Sequence, residues 1–430
     1  MTRMKDSGIE WIGEVPEEWE ICRIKDIYSF FTGTTPDTGK TEFYGDENGS
    51  TWITISDMQE KYVSSSKQTL SELFITSKLP MQSPRDSLLY SFKLSVGKVS
   101  FAQQDLYTNE AIATFLATDK VCLRFLYYSS FLIEFNAEVN IYGAKILNRQ
   151  RINNAILINP PLLEQTQIAD FLDKKVAQLD EVKSLLEEQI KTLEDYRRSL
   201  IYETVTKGLD KTVSLKDSGV DWIGQIPEGW GVSRLKYLTN KIGSGKTPLG
   251  GAEVFQTEGI LFIRSQNVFD GRLVLEEKST YIDLQTHNSM ISTEVMEQDI
   301  LFNITGASIG RVSIYNFVQK ANVNQHVAII RGSERVKPTY LMYYLMSCIG
   351  KFQIALNQVG GNREGLTFEQ LKQFIIAFPT REEQTKIADF LDKKTSQINQ
   401  MIAIKKEQIE NINKQRQTLI YDYVTGKRRL

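Results

Sequence analysis

The chain is poor in residues that make and break bonds. Its 430 residues hold two histidines, His287 and His326, and three cysteines, Cys22, Cys122 and Cys348, all far apart. Two imidazoles leave little for proton transfer, and no zinc-binding spacing can be assembled from this set. Asn159-Pro160-Pro161-Leu162 carries the asparagine and prolines that hold an exocyclic amine for methyl transfer, but leucine stands where an aromatic ring must stack. No glycine-rich cofactor loop accompanies it, and prolines that open a helix account for the stretch. Gly245-Lys246-Thr247 ends like a phosphate-binding loop, yet the position of its required first glycine is Asn240 and Pro248 follows at once. Gly39-Lys40-Thr41 fails as well, because Gly33 stands one residue too far upstream. No carboxylate pair with a lysine stands out as a nuclease centre. His326 lies in an apolar run and is expected to be a satisfied core residue.

What the chain repeats is not chemistry but architecture. Glu164-Gln165-Thr166-Gln167-Ile168-Ala169-Asp170-Phe171-Leu172-Asp173-Lys174-Lys175 returns as Glu383-Gln384-Thr385-Lys386-Ile387-Ala388-Asp389-Phe390-Leu391-Asp392-Lys393-Lys394. Both copies run on without proline and close alike, at Leu200-Ile201-Tyr202 and Leu419-Ile420-Tyr421. Leu172, Leu179, Leu186, Leu193 and Leu200 keep a seven-residue spacing, the pattern of a coiled coil. Ile168, Val182 and Tyr196, or else Val176 and Ile190, fill the half-turn between them. The second copy keeps the seam as Leu391, Ile398, Ile412 and Leu419, with Lys405 interrupting it. Each helix would reach roughly 65 Å at about 1.5 Å per residue.

Pro160-Pro161 and Pro379 mark the helix starts, Thr380 with Glu383 reads as a capping box, and Gly208 and Gly426 sit where left-handed C-caps belong. The first helix has an acidic excess (Asp180, Glu181, Glu187, Glu188, Glu194, Asp195) and the second a basic one (Lys405, Lys406, Lys414, Arg416, Lys427, Arg428, Arg429). Opposite charges beside a seam favour pairing of the two with each other. Antiparallel pairing would bring Leu430 near the start of the chain and set the two domains at opposite ends of the helices.

The repeat extends further. Asp6-Ser7-Gly8-Ile9-Glu10-Trp11-Ile12-Gly13-Glu14-Val15-Pro16-Glu17-Glu18-Trp19 returns as Asp217-Ser218-Gly219-Val220-Asp221-Trp222-Ile223-Gly224-Gln225-Ile226-Pro227-Glu228-Gly229-Trp230, a packed connector rather than a loose linker. Between connector and helix lie two stretches of about 140 residues, each a plausible domain length. They align at anchors: Gly33-Thr34-Thr35-Pro36 with Gly245-Lys246-Thr247-Pro248, Trp52 to Asp57 with Phe262 to Asn267, and Leu88-Leu89-Tyr90 leading to Gly97-Lys98 with Leu301-Phe302-Asn303 leading to Gly310-Arg311. Aromatic, helix-like segments follow at Phe125 to Phe135 and Tyr340 to Phe352. Short β-rich runs broken by glycine turns, with a helix or two, indicate α/β domains. The order is therefore connector 1–20, domain 21–161, helix 162–209, connector 210–231, domain 232–380 and helix 381–430.

Hydrophobic content of 41% and charged content of 24% are those of an ordinary globular protein. Met1 to Glu20 has no apolar run and nothing approaches a membrane span, so a cytoplasmic protein without membrane contact, structural metal or disulfide is expected. The net charge of −2 removes any argument from an overall basic field.

Connector, diverged domain and long helix, each present twice, resemble the specificity subunit of type I restriction-modification enzymes. The resemblance rests on the paired Asp-Ser-Gly…Trp-Ile-Gly…Pro-Glu…Trp connectors and the paired Glu-Gln…Ile-Ala…Phe-Leu-Asp helices, and covers essentially the whole chain. It implies two globular α/β target-recognition domains separated by a pair of long antiparallel coiled-coil helices, with a pseudo-two-fold internal repeat. It implies a non-catalytic subunit that reads a bipartite, interrupted site on double-stranded DNA. The helices would set the spacing and dock two methylation subunits, with restriction subunits joining them. S-adenosylmethionine, ATP and Mg would be bound by those partners and not by this chain. The target bases are the variable part of the family and do not carry over.

The residues themselves supply candidate readers on the glycine-marked turns. Thr35, Lys93, Lys98 and Lys145 in the first half, and Lys246, Arg311, Asn362 and Arg363 in the second, are polar or cationic groups for phosphates and bases. Arg264, Gln266 and Asn267 have the fork or amide geometry for guanine and adenine edges. The residues expected to form the coiled-coil seam and the subunit dock are Leu172, Leu179, Leu186, Leu193, Leu200, Leu391, Ile398, Ile412 and Leu419. Two other readings stay open here: a coiled-coil adaptor without a DNA role, and a stand-alone methyltransferase or nuclease.

Overall fold

Each proline-free run is one unbroken helix, Leu162–Lys207 and Arg381–Val424. A computed structural model describes residues 3–45, 48–93, 95–139, 145–275, 279–358 and 365–430. The chain divides into two compact units that cut across these helices: residues 1–186 with 407–430, and residues 187–406.

In the first unit the connector folds as a hairpin, Met4–Asp6 against Glu14–Pro16. Strand Glu20–Arg23 then pairs antiparallel with Ile156–Asn159, tying the domain's first strand to its last. Between them, a five-stranded sheet runs in the order Phe30–Thr32, Ile112–Phe115, Leu88–Ser91, Val99–Ala102, Tyr62–Val63. A four-stranded sheet runs Tyr107–Thr108, Ser50–Ile53, Thr69–Leu70, Tyr44–Gly45. Helices Leu123–Ser129 and Phe131–Glu134 cover the core built on Leu88, Tyr90, Phe115 and Leu126.

The second unit repeats the plan. Its connector pairs Leu215–Asp217 with Gln225–Pro227, and Gly231–Arg234 pairs with Ile375–Phe378. One sheet runs Thr239–Ser244, Val327–Gly332, Ile300–Asn303, Val312–Ile314, and the other Tyr281–Ile282, Ile260–Ile263, Ala321–Val323, Glu294–Val295. Helices Pro338–Met346 and Cys348–Asn357 stand where the first unit has its aromatic pair.

Within each unit the long-helix segments run antiparallel. Phe171 packs against Tyr423 with tilted rings, centroids 4.6 Å apart, and nine residues on Asp180 lies 3.5 Å from Arg416. In the other unit Lys405 donates to Gln189 at 2.5 Å and Arg197 donates to Asn399. The leucine series faces the seam, Leu172 and Leu391 fully buried and Ile398 nearly so; Leu179, Leu186, Leu193, Leu200, Ile412 and Leu419 are half-buried. Of the two sets offered for the half-turn, Val176 and Ile190 take it, with Lys183 and Arg197 at the steps between. Val182 and Tyr196 face outward, 47% and 54% exposed, about two-sevenths of a turn from the Val176 series, whereas Ile168 of their own series is buried with Ile12, Val15 and Trp19.

The helix ends follow from their caps. Gly208 and Gly426 adopt φ of +71° and +72°. The Glu383 amide donates to Thr380 Oγ1 at 3.4 Å, but the Glu383 carboxylate accepts from the Trp230 indole at 3.1 Å instead of completing a capping box. The reciprocal bond is given up to anchor the connector. Its counterpart is Trp19, which donates to Glu164 at 3.0 Å. The basic tail also deviates from simple pairing along the seam: Arg429 bridges Glu18 and Glu164, and Lys427 donates to the Glu14 carbonyl at 2.8 Å. The chain's end is thereby fastened to the first connector.

Candidate nucleic-acid interface

Four strands in each unit run out together at one edge, and their following turns are laced by main-chain hydrogen bonds. In the first unit Gly33 N donates to Ile112 O at 3.3 Å, Thr34 N to Thr108 O at 2.9 Å, Asn109 N to Ile53 O at 3.0 Å and Phe92 N to Ala111 O at 2.9 Å. In the second, Gly245 N donates to Val327 O at 3.1 Å, Lys246 N to Val323 O at 3.2 Å, Asn324 N to Ile263 O at 3.0 Å and Ile304 N to His326 O at 3.0 Å. The two lattices correspond bond for bond. A Cβ at Gly33 would stand 1.9 Å from Thr108 O, and one at Gly245 would stand 1.7 Å from Val323 O. Only glycine lets those strands meet.

The lattice also assigns the loop alignment. Ser91 N donates to Lys98 O and Asn303 N to Arg311 O, both at 2.9 Å, so Ser91 rather than Tyr90 corresponds to Asn303. The one-residue slip arises because both strands are buried throughout and show no alternation to fix their register.

On this shared frame the side chains differ. Thr34 corresponds to Lys246, Thr54 to Arg264, Ser56 to Gln266, Glu110 to Gln325 and Ala111 to His326; off the rim, on the neighbouring loop, Lys98 corresponds to Arg311. Ser56, Glu110, Lys246, Gln266 and Gln325 are exposed. In the second unit Thr247 donates to Gln325 Oε1 at 2.6 Å, His326 lies 3.1 Å from Gln325 Nε2, and Thr305 sits 2.6 Å from His326 Nδ1. His326 is thus a rim residue, not a core one; the buried histidine is His287, 2.6 Å from Asn322. An apolar run hid the distinction, since His326 is the last turn residue before strand Val327–Gly332 begins.

The remaining sequence candidates scatter. Thr35 is exposed and accepts from Glu110 N at 3.5 Å. Lys93 is exposed on the first rim, beside the Phe92 ring. Lys98 instead turns inward, donating to Ile55 O at 3.2 Å, and Lys145 is held by Glu134 at 2.5 Å. Asn267 is 1% exposed: its oxygen caps Arg264 N at 2.9 Å and its nitrogen donates to Val274 O at 2.9 Å. Its amide is spent on the main chain, as is the Asp57 carboxylate that caps Thr54 N at 2.8 Å, so Asn267 positions the turn and does not reach a base. Asn362 and Arg363 lie outside the described residues. Sequence reasoning missed Thr247, Gln325 and His326 as rim residues; their signal was that Thr247 follows the glycine ending strand Thr239–Ser244, while Gln325 and His326 directly precede its partner Val327–Gly332.

Each domain is clamped to its long helix by a tyrosine–aspartate bond. Tyr128 donates to Asp173 at 2.6 Å and Tyr343 to Asp392 at 2.7 Å, which gives the repeated Phe-Leu-Asp its role. Burial opposes ionisation of Asp173, but Lys61 at 2.6 Å, Tyr128 and Arg124 outweigh it and hold the carboxyl below the usual range.

Duplicated domains with one scaffold and two different polar rims define a binding protein whose two halves are built alike and furnished differently. The chain matches the model of the type I restriction modification DNA specificity domain over residues 16–193 and 227–412, and it belongs to that family, the specificity subunits that recognise DNA sequence. It is 25% identical to the type I restriction enzyme MjaVIII specificity subunit of Methanocaldococcus jannaschii, over 97% of this chain and 94% of that one. It is 31% identical to the EcoBI specificity subunit of Escherichia coli, over 63% of this chain and 58% of that protein. Among solved structures, a chain from a study of complex assembly and conformational transition of a type I restriction-modification system matches with a TM-score of 0.72 at 16% identity, covering 95% of this chain and 98% of that one. The HsdS subunit from Thermoanaerobacter tengcongensis gives a TM-score of 0.53 at 16% identity, covering 98% of this chain and all of that one. These two share the fold. Among the described residues, no helix is long and apolar enough to cross a membrane.

Proposed function

We propose that the chain is the sequence-reading, non-catalytic part of a type I restriction-modification complex, each domain reading one half of an interrupted DNA site through its rim. The observation that carries this reading is the shared main-chain lattice with substituted side chains. A reader of two different half-sites needs a constant platform and variable edges. Gln266 and Gln325 have the amide geometry for an adenine edge, Arg264 the fork for guanine, and Glu110 can accept from the cytosine amino group. Two methylation subunits, with S-adenosylmethionine, dock on the long helices, where Val182 and Leu185 in the first unit and Tyr196, Met401 and Ile404 in the second stand exposed. Restriction subunits, with ATP and Mg, join them, and the assembly works in the cytoplasm. The test is methylome sequencing of cells expressing this chain with its methylation subunit, before and after exchange of residues Ile21–Asn159 for those of a relative. The exchange cuts beside a paired position, Glu20 opposite Asn159, so the closing ladder is kept. A two-part motif is expected, with one half altered by the exchange. A motif changed in both halves, or none dependent on this chain, overturns the reading.

A further inference from the structure

The second unit carries a cationic patch that the first does not reproduce. Asn267 to Val274 form a short hairpin, Val268–Phe269 paired with Arg272–Leu273. The Arg272 guanidinium lies 5.4 Å from the centre of the Phe269 ring, and that of Arg311 lies 4.7 Å from the same centre. Among the described residues neither guanidinium has a carboxylate partner. The nearby Asp270 is taken by Lys351 at 3.1 Å and by the Val312 amide at 3.3 Å. Two like charges are thus gathered on one ring with no carboxylate of the described residues paired to either. A guanidinium braced by its face on an aromatic ring keeps its N–H edge for another acceptor, and that edge matches a phosphate bidentately.

The patch is joined to the rim. Asn303 Nδ2 donates to Ser265 O at 2.8 Å and to Ser308 Oγ at 3.1 Å, linking the turn of Arg264 and Gln266 to the loop that ends at Arg311. In the first unit the corresponding cation, Lys98, is turned inward onto Ile55 O.

We propose that Arg272 and Arg311, braced by Phe269, form a clamp for two DNA-backbone phosphates that orients the second domain on its half-site without reading bases. This rests on the DNA-reading function proposed above. The clamp gives the second domain a sequence-independent grip that the first lacks at the matching position. Phosphate contacts release counterions, each lowering the slope of log K against log salt by about 0.9.

The test is fluorescence anisotropy of the full chain with a labelled duplex bearing the methylated motif and with a scrambled duplex, across salt. For Arg272→Ala with Arg311→Ala the slope is expected to become shallower, less negative by about 1.8, on both duplexes, while the methylated motif stays the same. Between 50 and 200 mM salt, wild type then loses about twelvefold more affinity than the double variant. Arg272→Lys with Arg311→Lys restores the slope, which separates lost charge from lost folding. An unchanged slope overturns the clamp while leaving the reading intact, provided that wild type still prefers the motif duplex. A change in the second half of the methylated motif also overturns it, by making these residues base readers. A wild-type chain with no preference and no salt dependence removes both proposals.

Discussion

Tyr128 and Asp173 share a 2.6 Å hydrogen bond that fastens the first domain's aromatic helix to the first long helix. Lys61 and Arg124 reach the same carboxylate at 2.6 and 3.2 Å, so one aspartate of the repeated motif satisfies three donors. Asp173→Asn removes the charge and leaves two cations partly buried without it. The side chain is about a quarter exposed, which reduces the effect, and a loss of about 1–2 kcal/mol is expected near neutral pH. The carboxyl is held below its usual range, so its contribution is present above the unfolded value of about 3.9 and fades as pH falls through the lower folded value. Thermal melts of wild type and variant should therefore differ near neutrality and converge as the pH falls through that lowered folded value; curves that stay equally far apart at acid pH would exclude the linkage.

Gly33 and Gly245 give a second expectation, confined to one unit each. A methyl group at either meets a carbonyl oxygen far inside van der Waals contact, so the strand ends must separate. Gly245→Ala should destabilise the second unit by about 3 kcal/mol or more and abolish discrimination at one half-site. Gly33→Ala should do the same in the first unit. Melting followed by anisotropy on half-site variants checks this, and Gly243→Ala, where a Cβ meets nothing within 4 Å, supplies the control.

These glycines were legible in the sequence because a residue without a side chain, repeated before a proline, has few reasons to be there. The connectors and long helices were legible because they are duplicated and because a seven-residue apolar period has one common structural outcome. The orientation of polar groups was not. Asn267 and Gln266 are adjacent amides, yet one is consumed by the turn it caps and the other is exposed, and only the fold of the hairpin after them decides which. Val182 and Val176 each continue a plausible half-turn series, and the choice depends on what the partner helix supplies opposite them.

The long helices should respond unequally along their seam. Leu391 is fully buried among Ile387, Val205 and Ile201, so Leu391→Ala should cost about 3 kcal/mol, within the range of core truncations. Leu179 is only half-buried, and Leu179→Ala should cost about 1 kcal/mol. Denaturant melts rank the two, and equal losses would place Leu179 in a continuous core. Leu185→Asp, on an exposed apolar position, should leave the melt unchanged and weaken co-purification with the methylation subunit.

The spacing of the half-sites should follow the length of the helices. Four residues inserted after Lys183 need a matching insertion on the opposing strand of the pair. The contacts Phe171–Tyr423 and Asp180–Arg416 put that position near Ile412, about ten residues beyond the Ile402 that counting along the repeats would choose. Four residues add roughly 6 Å at about 1.5 Å each, which at about 3.4 Å per base pair asks for just under two pairs. They also turn the helix about 40° beyond one full turn, close to the rotation of one base pair at about 10–10.5 pairs per turn. Translation favours two and rotation one, and a four-residue stutter unwinds a coiled coil locally without turning its seam outward. The unspecified gap is therefore expected to grow by one or two base pairs while the bases read at each end stay fixed. Methylome sequencing of the insertion variant decides it: an unchanged gap in an active complex, or altered half-site bases, would show that helix length does not set the spacing.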